Sequence, residues 1–450
     1  MTAAVVVGAG LTGLTVARAL ARAGRGVTVL ERDAEPGGLA RTFRHGAFSF
    51  DVGPHRFHTE NDEVTAFLAA ALGDDALRIP RNSGVRAFGR VHDWPVGPRV
   101  LASIPPGIAL RMMRDLLLRP RKVRGASFEE DVVVRYGRTL YEVFFRPYTE
   151  RFLGIPAERV HRDWSRAGVD RAVIDPRVRA GSLAELARSA LLPPRLDTTF
   201  LYPRRGIGEL AERLARDLVE AGGSLRVSAP VTELVTSGGR VTAVRAGAEE
   251  VAADVVVWTA PLTLALRLLG EPPPALGFLS TVLFNLELRA PDRLGRQWVY
   301  CGGDEAFVRV SAPTRFSPEM APAGRGALCV ECTGREGDAL WAEPERRLPE
   351  VLRDLVRIGA IEREGDVTVC HVERVPDTYP VYDLGYREAL QGAFETVRRW
   401  PNLVLGGRCG RFWYNNADHS IAQGLSLARR LLSDGGGDPD PWGDREWWTR

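Results

Sequence analysis

A chain of 450 residues, 45% of them hydrophobic, is long enough for two or three domains around a sizeable core. It has no run of about 18 apolar residues, so no membrane-crossing helix is expected, and its net charge of +3 is too small to argue for a nucleic-acid partner. Its five cysteines are odd in number and lack zinc-ligand spacing, which argues against a disulfide framework or a metal centre and suits a reducing cytoplasm.

Taken in chain order, Ala3–Val7 is a short apolar run with strand propensity. Gly8, Gly10 and Gly13 follow, then a helix over Leu14–Ala23 and a strand over Val27–Leu30 that ends in Glu31. GxGxxG between strand and helix, with an acid 18 residues past the third glycine, is a dinucleotide-binding signature. The glycines allow a tight turn and a close approach of pyrophosphate, and the helix N-terminus faces the phosphates. Glu31 accepts the ribose hydroxyls, which disfavours a 2′-phosphate and therefore NADP. Gly37 and Gly38, with Ala40, Arg41 and Thr42, suit a turn that wraps the dinucleotide a second time. The strand starts almost at Met1 with no basic, apolar leader, so a cytoplasmic location is expected.

Ala47–Val52 alternates as a strand and leads into Gly53-Pro54-His55, a sharp turn that presents His55. A histidine there can hydrogen-bond a ligand, move a proton near neutral pH, or only fix the loop. Asn61–Leu72 reads as a helix, and Gly84–Phe88 with Val91–Trp94 as a hairpin. Residues 101–198 look mainly helical, with segments over Ile108–Leu118, Phe128–Tyr136, Leu140–Tyr148 and Ser182–Ser189. Ile104–Leu118 is amphipathic and carries Arg111 and Arg114, which suits either the core of this insert or peripheral contact with lipid.

The α/β pattern resumes at Tyr202–Gly208, with a helix over Glu209–Ala221 and strands over Leu225–Val227, Ala229–Thr236, Val241–Val244 and Ala253–Thr259. Val282–Leu288 and Ala327–Glu331 suggest a sheet domain. Leu403–Leu405 is a late strand entering Gly406-Gly407-Arg408. The last helix is expected over Ser420–Leu432, with Asp418 as a capping candidate. The remaining segment, with Trp447 and Trp448, is rich in Gly, Pro and Asp and reads as a flexible tail.

Four stretches resemble the flavin amine oxidase and protoporphyrinogen oxidase superfamily, and within it UDP-galactopyranose mutase. They are Gly8–Thr42; Asp51–Asn61, close to GPHxFHTxN; Gly137–Glu150 with Gly154, close to YxxFFxxYTxxxWG; and Gly406–Leu425. The likeness covers nearly the whole chain. It implies an α/β fold: a Rossmann-like FAD-binding domain of the GR2 type, an inserted mainly helical domain and a mixed-sheet substrate domain. The expected division is FAD-binding parts over 1–82, 200–271 and 376–433, an insert of hairpin and helices over 83–199, a sheet-containing substrate domain over 272–375, and a tail over 434–450.

The resemblance implies FAD contacts at Gly8, Gly10, Leu11, Thr12, Gly13, Glu31, Arg32, Gly38, Leu39, Ala40, Gly53, His55, Val231, Gly407, Arg408, Ser420 and Ile421. It assigns catalytic roles to His55, Arg408, Tyr414 and His419, and substrate contacts to Arg146, Tyr148, Arg151, Tyr382, Trp413, Tyr414, Asn415 and Asn416. The implied activity is an FAD-dependent oxidoreductase that transfers hydride from a polar, sugar-containing or anionic small molecule to flavin N5. The alternative is a redox-neutral mutase of a nucleotide- or lipid-linked sugar that uses reduced FAD as N5 nucleophile. The mutase pattern is broken in several places. Phe278–Phe284 lacks its arginine, Phe152-Leu153-Gly154 lacks its tryptophan, and the closing pattern has become Phe412–His419. These departures weigh against UDP-galactopyranose as substrate and leave FAD untouched. A homodimer is implied by family likeness alone.

Overall fold

The computed structural model describes residues 3–94, 98–118, 122, 123, 125–169, 182–191 and 199–433. The expected tail over 434–450, with Trp447 and Trp448, lies outside the described residues, as do parts of the insert.

The central sheet is parallel and has five strands, in the order Leu403–Leu405, Val255–Trp258, Ala4–Val7, Val27–Leu30, Ser224–Arg226. The inner strands are runs of β-branched residues because both faces are covered. Helices Leu11–Arg22, Gly208–Glu220 and Ala417–Leu432 cover one face, with Leu14, Leu210, Leu214, Ile421 and Leu427 in their shared core. An antiparallel sheet, Val231–Ser237, Arg240–Ala246 and Glu249–Ala252, covers the other face with helices Leu262–Leu268 and Tyr386–Val397. Parallel strands with helical crossovers place a ligand groove at their carboxyl ends.

A second, seven-stranded sheet runs Val367–Pro380, Phe278–Leu288, Gly326–Gly334, Arg309–Ser311, Trp298–Cys301, Ser83–Ala87, Arg90–Trp94. The hairpin of its last two strands reads in sequence as part of the helical insert. It is instead hydrogen-bonded along Trp298–Cys301, in parallel, at the edge of this sheet. That pairing joins residues more than 200 apart in the chain, so no local pattern signals it.

The insert packs Phe128–Tyr136, a π-helical turn over Tyr141–Phe145 and helix Arg146–Leu153 around an aromatic core shared with Leu279 and Tyr379 of the large sheet and with Val381 just past it. Pro147 has no N–H to offer Val143, which accounts for the widened turn ahead of it. The last helix begins at Ala417, three residues earlier than expected. Asn416 is its N-cap residue and donates its N–H to His419 Nδ1 at 3.2 Å. Asp418 therefore lies in the first turn and is not the cap.

Asp51 ties the loop that carries His55 to the second α/β unit. Its Oδ1 accepts the Thr42 hydroxyl at 2.7 Å and the Ile207 N–H at 3.0 Å, and its Oδ2 accepts the Tyr202 hydroxyl at 2.6 Å. Burial pushes its pKa up from 3.8 to about 6 despite those three donors. The folded chain thus binds this proton more tightly than the unfolded chain, and the contribution to stability falls as pH rises through that interval. Asp51→Asn is expected to remove a slope of at most about 3 kcal/mol in total. Thermal midpoints of both proteins across this interval check it; the same pH slope in wild type and variant would refute the assignment.

Candidate active site

The cofactor groove, about 210 Å³, opens where the first strand ends. Gly8 turns the chain with φ +100°, and its N–H donates to the Leu30 carbonyl at 2.8 Å. The Gly37 N–H returns to the Ala9 carbonyl at 2.8 Å, so the second glycine turn does fold onto the first. Glu31 is buried. Its two oxygens accept the Ala9 N–H at 2.7 Å and the Asp33 N–H at 3.0 Å, and burial raises its pKa. Each oxygen keeps a lone pair for a ribose hydroxyl. A Cβ on Gly10 would meet no protein atom within 4 Å, so the groove reaches the bare backbone there. On the far wall, Gln423 Oε1 accepts the Gly407 N–H at 2.6 Å, and the Thr12 hydroxyl donates to the Ser420 carbonyl at 2.9 Å. The two ends of the chain are thereby locked around the groove.

A second cavity of about 500 Å³ joins this groove at Leu39, His55, Arg408, Asn416 and Ala417. Its walls are aromatic, with Phe144, Tyr148, Phe152, Trp164, Tyr300, Tyr379 and Tyr414 among them. Three guanidinium groups reach it in different states. Arg309 is neutralised by Glu331, its cross-strand partner, with contacts of 2.5 and 2.6 Å. Arg408 is held by neutral groups: the Thr378 carbonyl at 3.1 Å, the Asn415 carbonyl and Asn415 Oδ1 at 3.4 Å. Arg56 makes no hydrogen bond or ion pair with any described residue. It stacks 4.6 Å from the Trp298 ring centroid and 4.9 Å from Phe200, and burial lowers its pKa. Stacking holds a guanidinium without consuming its donors.

His55 sits at the junction of groove and cavity. Burial, reinforced by Arg408 and Arg309, pushes its pKa down to about 3. The ring is neutral at any working pH, which suits hydrogen bonding and is a poor match to proton carriage near neutrality. His419 also lines the cavity, but its Nδ1 is committed to the Asn416 N–H.

Most of the residues expected from the sequence come together. Gly8, Gly10, Leu11, Thr12, Glu31, Arg32, Gly38, Leu39, Ala40, Val231, Gly407, Arg408, Asn415 and Ser420 line the groove, and Tyr148, Tyr414, Asn416 and His419 line the cavity. Others do not face either space. Gly13 packs under Gly8, Gly53 packs against the Glu331 carboxylate, and Ile421 is in the core. Arg146 is on the surface with Glu150 and Glu158. Arg151 faces a separate cleft beside Glu305. Tyr382 is buried against Tyr386, and its hydroxyl accepts the Tyr414 N–H at 2.9 Å. Trp413 is buried in the core beneath the parallel sheet. Arg56, Tyr300 and Arg309 were not singled out by sequence, whereas the aromatic, proline-bearing segment Val375–Tyr382, which reads in sequence as lining for a ligand pocket, places Thr378 and Tyr379 on the cavity wall. For Arg56 the only signal was its place directly after His55.

The family described as flavin containing amine oxidoreductase matches residues 11–432. The chain belongs to that family. As a member it is an FAD-dependent oxidoreductase, and the groove fits FAD along the Gly8–Gly10 backbone, Glu31 and Gly407. The chain is 29% identical over 425 residues to a phytoene dehydrogenase of Streptomyces griseus, covering 81% of each chain. It is 29% identical over 168 residues to a probable UDP-galactopyranose mutase of Klebsiella pneumoniae, covering 34% of this chain and 41% of that one. The fold superposes on reduced UDP-galactopyranose mutase with a TM-score of 0.80 at 20% identity, covering 98% of each chain. No helix among the described residues is long and apolar enough to cross a membrane.

Proposed function

We propose that this flavoenzyme dehydrogenates a polar, anionic, sugar-containing small molecule. The observation that carries this is Arg56, a guanidinium held by aromatic stacking at the cavity wall with its donors unspent. A cavity made for a hydrocarbon has no use for that charge, which is costly to keep half-buried without an anion. Aromatic rings on the opposite walls offer faces to a sugar ring, and an acidic group of the substrate takes the Arg56 fork. FAD, when bound, supplies the hydride acceptor at N5, and the proton that leaves the substrate with the hydride passes to water in the cavity. His55, neutral at the junction, orients a substrate hydroxyl there by hydrogen bonding. Arg408, whose partners are all uncharged, adds a full positive charge beside the same point.

A redox-neutral sugar mutase is the second reading, favoured by the GPHRFHTEN segment at residues 53–61 and the mutase match over 168 residues. Anaerobic mixing of the protein with nucleotide sugars and polyprenyl-linked sugars separates the two, run in parallel with oxidised and prereduced flavin. Bleaching of the oxidised flavin, with a product lighter by two hydrogens, is the expected result. An isomer of unchanged mass, formed only by the reduced enzyme, establishes the mutase and sinks the dehydrogenase.

A further inference from the structure

We propose that the outward face of helix Pro106–Leu118 docks on an anionic lipid membrane. Its inward face is anchored: Met112 packs on the aromatic core of the insert, and Asp115 accepts the Thr139 N–H at 2.6 Å. At 3.6 residues per turn, Leu110, Met113 and Leu117 form one stripe on the opposite side. They are 68%, 63% and 84% exposed, and Leu118 beside them is 67% exposed. These are four of the nine large hydrophobic side chains exposed among the described residues, gathered on one helix. Scattered exposed leucines need no explanation, but a continuous stripe does.

Charge selects the occupant. Arg111 and Arg114 run along one flank of the stripe, and neither forms a hydrogen bond or ion pair with any described residue. Most arginines elsewhere on the surface are paired, as Arg22, Arg44 and Arg245 are. An apolar stripe flanked by unpaired arginines matches acyl chains beneath anionic headgroups, with the long side chains reaching up to the phosphates. A two-fold contact between copies of the chain is a poorer match, because it brings the two arginine rows together. The helix also reaches the site: Asp115 holds Thr139, and the turn that follows carries Phe144 and Phe145 into the cavity wall. Docking through this face sets the wall of the substrate cavity next to the bilayer.

The test uses the FAD-loaded full chain and vesicles of phosphatidylcholine with or without one quarter phosphatidylglycerol. Flotation with the anionic vesicles, weakened by salt, is expected. The triple variant Leu110→Ser, Met113→Ser, Leu117→Ser should lose at least about tenfold in vesicle affinity. Arg111→Gln with Arg114→Gln should lose about tenfold for anionic vesicles and most of the salt response. Flavin absorbance reports that each variant is folded, and the arginine pair serves if the triple variant is not. Absence of wild-type flotation overturns the proposal, as does undiminished binding by the variants. So does a dimer that falls apart in the triple variant while vesicle binding persists, which assigns the face to a second copy.

Discussion

Gly13→Ala is expected to yield a protein that no longer retains FAD. A Cβ at this position falls 2.1 Å from the Gly8 carbonyl oxygen and 3.2 Å from Val6 Cγ1. Neither neighbour can yield cheaply. Gly8 is fixed at φ +100° by its N–H bond to Leu30, and Val6 is fully buried in the central strand. The helix must therefore move off the strand by about an ångström, and it carries the amides of the groove with it. Overpacking of this kind costs about 1–3 kcal/mol, which is roughly 5- to 150-fold in cofactor affinity if the strain is released when FAD leaves. The ratio of flavin to protein absorbance after gel filtration checks it, with Gly26→Ala as control, since a Cβ on Gly26 meets nothing within 4 Å. Full flavin occupancy in Gly13→Ala would refute the packing account of this glycine.

Arg56→Gln should leave FAD in place and strip the enzyme of its grip on substrate. The side chain lines the substrate cavity and not the cofactor groove, so the flavin spectrum and occupancy should match wild type. Removing one partner of a desolvated charge pair costs about 2–5 kcal/mol, so KM is expected to rise at least about 30-fold. The loss should fall on KM more than on kcat, because an anionic anchor binds ground and transition states alike. Arg56→Lys should recover little. An ammonium has no planar fork and stacks poorly between Trp298 and Phe200. An unchanged KM with an authentic substrate removes the observation on which the anionic reading rests. Loss of binding together with loss of FAD assigns Arg56 to the fold instead.

Much of the cofactor side of the molecule was legible in the chain itself. Gly8, Gly10, Gly13 and Glu31 act through turns and packing set within a few residues, so spacing alone exposes them. The substrate side was legible only in part, because helix phase and strand register decide it. Tyr148 and Phe152 are four apart and share the cavity face of helix Arg146–Leu153, whereas Arg146 pairs with Glu150 on the outside. Once the π-turn ahead of Pro147 has set that phase, Arg146 is excluded from the cavity.

The family resemblance implied that Gly406–Arg408 closes the dinucleotide groove; the sequence by itself determined that such a groove opens the chain and that a helical block interrupts the α/β pattern after it. These are matters of local geometry, read from residue types at fixed spacing. Only the tertiary structure decided which guanidinium groups carry unspent charge. Among 60 basic residues, nothing local shows that Arg309 has an ion-pair partner and Arg56 has none. Strand register brings Glu331 opposite Arg309 and cancels it, while the edge pairing of Trp298–Cys301 lays an indole against Arg56, which forms no ion pair with any described carboxylate. The charge a substrate meets is what remains after such long-range pairing, and pairing is a property of the fold.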